Sequence, residues 1–135
     1  MVNLNGYVVN ELDFTNELKA PGQLNLETRT NFNVQYMKDA NRCIATCVVD
    51  MMEKTAPNDF NFKISVRGIF EYEEGMSREE IHTATYDELF PFVRTITCNT
   101  FVNAGLPPMM IQKVKMDPSK INVSGGQEEK PGLTS

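Results

Sequence analysis

Leu89-Phe90-Pro91-Phe92-Val93-Arg94, running on through residues 95–102 into Asn103-Ala104-Gly105-Leu106-Pro107-Pro108, is the stretch on which the fold turns. Leu89, Val93, Ile96, Thr100 and Ala104 recur at spacings of three and four, and Phe90, Thr97 and Phe101 widen the stripe. That is the pattern of a helix with one face laid on an apolar surface. Gly105 is free to take the left-handed conformation that ends a helix, Leu106 can pack back on the last turn, and Pro107 cannot continue the ladder. Upstream, Thr85 or Asp87 is the expected cap of this main helix, which puts Pro91 in an early turn where a kink is tolerated. Ser77-Arg78-Glu79-Glu80 has capping-box spacing and predicts a separate short helical turn.

The surface beneath the helix is legible just before it. From Phe60 to Tyr72, Phe60, Phe62, Ile64, Val66, Gly68, Phe70 and Tyr72 alternate with Asn61, Lys63, Ser65, Arg67, Ile69 and Glu71. Period two places the first set on one face of a strand. Such clean alternation belongs to an antiparallel sheet with one covered and one solvated face. Phe32, Val34 and Tyr36 alternate likewise, and residues 42–52 are rich in Cys, Ile, Thr and Val, so two further strands are expected, joined near residues 39–41. The Thr55-Ala56-Pro57-Asn58-Asp59 cluster is turn chemistry. Residues 8–14, with Val8, Leu12 and Phe14 on one side, supply a first strand, and Lys19-Ala20-Pro21-Gly22 breaks it. The expected fold is α+β: a four-stranded antiparallel meander with one face covered by a long C-terminal helix.

Length and composition narrow the class. With 135 residues, one domain over residues 1–116 is expected, followed by a disordered tail over 117–135, where Ser124-Gly125-Gly126-Gln127-Glu128-Glu129 offers no apolar content to offset ordering entropy. A net charge of -5 disfavours a nucleic-acid surface, which needs a basic face to displace counterions. No apolar run approaches the ~20 residues that span a bilayer. Residues 1–10 show neither a basic start nor a continuous apolar stretch, and Cys43, Cys47 and Cys98 are odd in number, so a reduced, cytoplasmic protein is expected. Eight methionines without a tryptophan suit gap filling more than partner binding.

The residues give catalysis little to build on. The one histidine, His82, precedes the main helix and reads as a solvated loop side chain. Cys43 and Cys47 lie four apart on a strand and read as buried structural thiols, two ligands short of a zinc site. Glu79, Glu80, Asp87 and Glu88 stand near expected helix starts, where they favour the positive end of the dipole. The glycines form no phosphate loop. No enzyme, cofactor or metal is expected. More suggestive is Leu106-Pro107-Pro108-Met109-Met110-Ile111, in which two prolines stiffen the chain ahead of three large apolar side chains suited to lining a groove or, equally, to packing on the main helix of the same subunit.

The order Leu89-Phe90-Pro91-Phe92, a helix with the single Arg94, then Asn103-Ala104-Gly105-Leu106-Pro107-Pro108 resembles the SecB family of protein-export chaperones, and Arg67-Gly68-Ile69-Phe70 is similar to the close of that family's last strand. The resemblance covers residues 58–116. It implies an ATP-independent chaperone that holds unfolded polypeptides for Sec export, assembles as a homotetramer (a dimer of dimers) and meets the SecA motor through an acidic sheet face. It implies a client groove at Phe60 and Phe62, with Leu24, Leu26, Met109, Met110 and Ile111 as further candidates, and a SecA-facing surface at Glu11, Asp13 and Lys63. Lys63 and Arg67 depart from the family's acidic pattern, and Asp117-Pro118-Ser119-Lys120 does not continue into a long second helix. Two alternatives therefore stand beside general export: a chaperone dedicated to one client, such as the antitoxin of a toxin-antitoxin pair, and an adaptor that has lost client binding.

Overall fold

Alternation carries directly into β4, which spans Phe60–Tyr72 and buries Phe60, Phe62, Ile64, Val66 and Phe70 on one face. The computed structural model describes residues 1–18, 25–37 and 40–113; the expected strand breaker at 19–22, Leu24 and the expected tail at 117–135 lie outside them. β4 pairs antiparallel with β3 (Arg42–Glu53) on one side and β1 (Val2–Asn16) on the other, and β2 (Leu26–Tyr36) pairs with β3. The order is β1-β4-β3-β2. Thus β2, β3 and β4 form the expected meander, while β1 joins beyond β4, as in a Greek key.

The first strand is longer than residues 8–14 and departs from simple alternation. Its register with β4 shifts between Leu4 and Gly6 and again between Val9 and Glu11. Each extra residue inverts which side chains point inward. Val8, opposite Arg67, therefore falls on the open face, whereas Val9, Leu12 and Phe14, opposite Val66, Ile64 and Phe62, share the covered one.

One helix, α1 (Arg78–Asn103), covers that face. The two helical pieces expected from the sequence are continuous. Ser77 is the cap: its hydroxyl accepts from Glu80 N–H at 3.1 Å and the Glu80 carboxylate accepts from Ser77 N–H at 2.9 Å. Asp87 and Glu88 are consequently mid-helical, and Pro91 sits in the interior, where its missing N–H leaves the Asp87 carbonyl without a helical partner. The far end closes as predicted. Gly105 adopts a φ of 87°, its N–H donates to Val102 O at 3.0 Å and Leu106 N–H to Phe101 O at 2.9 Å, the Schellman pattern.

The helix crosses the sheet obliquely. Arg78 stacks over Tyr36 of β2, and His82 and Tyr86 meet Phe32 of the same strand. Phe92 meets Tyr7 of β1, and Phe101 packs on Phe14, Phe60 and Phe62. His82, expected in a solvated loop, is 1% exposed. It lies one turn before Tyr86 on the apolar stripe, and an imidazole edge-on to Phe32 at 5.1 Å fills core volume much as a phenyl would. Burial depresses its pKa to about 4 and raises the thiols of Cys43 and Cys47 to about 11 and about 12. Both thiols are buried structural groups, as the sequence implies.

At the crossing point, β4 presents Gly68. A Cβ there would stand 2.9 Å from Leu89 Cδ1, 3.0 Å from the Phe70 ring and 3.2 Å from Leu4 Cδ1. The glycine is what allows Leu89, fully buried, to reach the sheet.

Gly68→Ala should therefore destabilise the protein by about 1–3 kcal/mol, the range for overpacking, and Leu89→Val should offset part of the loss; urea unfolding of the two single variants and the double reads the coupling. A second expectation follows from His82. Its folded pKa lies below the unfolded value, so the neutral form is the one the fold accepts, and stability present above pH 6.5 is lost as pH falls toward 4. The loss is up to about 3 kcal/mol. Unfolding free energies at pH 7 and 4.5 should differ less in His82→Leu than in the parent.

Candidate functional site

Because α1 runs from β2 toward β1, it leaves the start of β2 without a helical cover. Residues 106–113 take that place. They turn back after Gly105 as an extended strap, with Ile111 buried, Met109 half-buried and Met110 61% exposed. Two contacts hold the strap to the helix. Arg94 Nε donates to the carbonyl of Ile111 at 3.1 Å, and Lys113 Nζ reaches the Asp87 carboxylate while standing 5.5 Å from the Tyr86 ring centroid. Asp87 and Arg94 are seven residues apart and share one flank of α1, so the strap runs antiparallel to the helix.

Between strap and sheet lies an open cleft of about 390 Å³, lined by Leu26, Thr28 and Thr30 from β2 and by residues 109–112. Its lining is mainly apolar, and its size is that of sites taking small ligands or short peptide segments. Of the candidates named from sequence, Leu26, Met109, Met110 and Ile111 are brought together here. Phe60 and Phe62 are not at its surface: they are 0% and 1% exposed and packed under Phe101. They stand close behind, since Thr28, Met51, Phe62 and Phe14 form one cross-strand row. Sequence reasoning missed Thr28, Thr30, Asp87, Arg94 and Lys113. Extending the 32-34-36 alternation backward would have found the two threonines; nothing local announces the other three, because their contacts span 17 and 26 residues.

On the opposite, open face of the sheet, Arg29, Asp50, Lys63 and Asp13 are successive register partners across all four strands. Their charges alternate in sign. Lys63 also pairs with Glu11 at 3.5 Å, both side chains being well exposed. The three residues expected to face SecA are thus neighbours, and the lysine is balanced by acid on both sides. Such exposed pairs contribute about 0–1 kcal/mol each, so they shape the field of the face more than its stability. Among the described residues no cluster of His, Cys, Asp or Glu is arranged to hold a metal, and no helix is long and apolar enough to cross a membrane.

Comparison with solved structures locates this architecture. The SecB-like chaperone of Mycobacterium tuberculosis, solved in complex with a ChAD peptide from the HigA1 antitoxin, superposes with a TM-score of 0.63 at 14% identity, over 84% of this chain and 88% of that one. The fold is SecB-like. A protein of unknown function from Streptococcus agalactiae aligns over 83% of this chain and 97% of its own, at 12% identity and a TM-score of 0.45. No protein-family model matches the sequence, and no curated protein matches it.

In this SecB-like sheet the mouth of the cleft is fixed by one carboxylate. Glu53, register partner of Leu26, is nearly buried at the end of β3. It accepts from the Thr55 hydroxyl at 2.7 Å, from Asn25 N–H at 2.8 Å and from Thr55 N–H at 2.9 Å. These donors, the hydroxyl foremost, lower its pKa to about 2. The depressed pKa means that the stabilisation is complete above pH 4.5 and is lost as pH falls toward 2. Glu53→Ala should lower the thermal midpoint at pH 7 and make unfolding less acid-dependent below pH 4.5, as followed by circular dichroism.

Proposed function

We propose that this protein is an ATP-independent chaperone that holds unfolded polypeptides in the cleft at the start of β2, with Leu26 as a contact residue, Met109, Met110 and Ile111 as the segment that lines and covers it, and Phe60 and Phe62 as the apolar wall behind. The observation that carries this reading is the cleft itself: an apolar trough on a SecB-like sheet, walled on one side by a stretch of polypeptide. The mycobacterial chaperone of this fold, solved with an antitoxin peptide, supports a polypeptide client. The protein is cytoplasmic in this reading and works as a homotetramer. Tyr7, Leu12, Phe92 and Val102, all exposed apolar side chains on β1 or α1, support self-association.

Two client regimes fit. General export needs a SecA-facing surface at Glu11, Asp13 and Lys63. A dedicated client, such as an antitoxin, needs none, and the balance of Lys63 against Glu11 favours it by leaving little net acid on the open face. Binding to SecA separates the two.

Stoichiometric protein without nucleotide should slow aggregation of an unrelated polypeptide diluted from urea, and Leu26→Ser should weaken this while leaving the unfolding midpoint nearly unchanged. A folded parent chain that leaves aggregation untouched would overturn the proposal, and a light-scattering mass of one chain at micromolar concentration would overturn the assembly.

A further inference from the structure

The strap is bound the way a ligand is bound. Its backbone is extended, one branched aliphatic side chain is buried in the apolar cleft, the carbonyl of that same residue accepts a hydrogen bond from a guanidinium, and the side chain two residues on is a cation held by a carboxylate and an aromatic ring. None of this needs the strap to be part of the same chain. Helix α1 ends in a closed Schellman cap made by Gly105 and Leu106, so the helix does not depend on residues 109–113 for its C-terminal hydrogen bonds.

From this geometry we infer that residues 109–113 are a built-in pseudo-client, and that the contacts they make define the polypeptide the cleft prefers: an extended segment with a branched aliphatic residue followed two positions later by Lys or Arg. The inference rests on the chaperone reading and adds to it a specificity and a regulation. Arg94 reads the backbone and is indifferent to sequence. The cleft wall of Leu26, Thr28 and Thr30 reads the aliphatic side chain. Asp87 and Tyr86 read the cation, and Asp87 is the element that would reject an acidic residue at that place. A client must displace the strap, so its apparent affinity is the intrinsic one reduced by the fraction of molecules whose strap is open. Because one tether is an exposed ion pair, salt weakens closure and the cation preference together.

The test uses the full-length chain and a fluorescent peptide, Pro-Pro-Met-Met-Ile-Gln-Lys, copied from residues 107–113, with versions carrying Ser for Ile or Glu for Lys. Ile111→Ser with Lys113→Ser releases the strap, and circular dichroism with urea unfolding shows whether the chain stays folded. The released chain should bind the parent peptide about tenfold more tightly than the unaltered chain. Serine in place of isoleucine should weaken binding about tenfold or more, and glutamate in place of lysine about two- to fivefold. Asp87→Lys in the released chain should reverse the preference, so that the Glu peptide binds better than the Lys peptide. That reversal is a readout a merely structural strap would not produce. If the unaltered and released chains hold an unfolded polypeptide equally well and the peptides bind neither better nor selectively, the pseudo-client is wrong and the chaperone reading survives. If neither folded chain binds polypeptide at all, both are wrong. Should the double variant unfold, the single charge swap Asp87→Lys in the otherwise native chain decides: it must raise affinity for the Glu peptide relative to the Lys peptide, and an unchanged ratio overturns the inference.

Discussion

Leu89 reaching the sheet through the missing side chain of Gly68 is the contact on which the remaining geometry depends. A helix stands off a sheet by the depth of the side chains between them, and a glycine at the crossing lets the two approach most closely there. With that point fixed, the ends of α1 swing outward to either side. The start meets the aromatic rings of β2 and the end meets those of β1 and β4. The oblique path is what exposes the beginning of β2, and the uncovered corner is what the strap and the cleft occupy. Cleft and helix angle are therefore one feature with one cause.

Core and cleft differ in how they are held. The core under α1 is apolar interdigitation around fully buried Phe60, Phe62, Phe70, Phe90 and Phe101. Each such side chain contributes about 1.5–3 kcal/mol of transfer free energy. The strap relies on one buried isoleucine, the partly buried Leu106 and Met109, one hydrogen bond to a guanidinium and one exposed ion pair. Segments with so few buried contacts open long before the whole domain does. The clamp at Glu53 works in the other direction, tying β2 at the edge of the cleft by three hydrogen bonds to one carboxylate.

Strands with strict alternation were readable from the residues alone: β4 matched to the residue, and Gly105 with Leu106 ended the helix where expected. The start of the helix was not, because His82, Thr83 and Thr85 are poor helix formers and resemble a connecting loop; burial of His82 against Phe32 of β2, and of Thr85 beside it, overrides that weak preference. The inward set of β1 was misjudged at Val8 because a bulge leaves no mark in a two-residue repeat. At the cleft, apolar members such as Leu26 and Ile111 stood out by type. The charged ones did not, since a lysine that binds an aspartate 26 positions earlier looks like any surface lysine until the chain is folded back.

The two bulges of β1 bear on a hazard that any sheet with a long free edge faces. β1 is an edge strand of 15 residues, long enough to template accretion of another extended chain by main-chain hydrogen bonds alone. Twice along its length an extra residue breaks the even spacing of donors and acceptors and bends the strand. An arriving polypeptide finds no uninterrupted ladder on that side to continue. The irregularities that make β1 hard to read as a sequence thus guard the sheet from growing at its own margin.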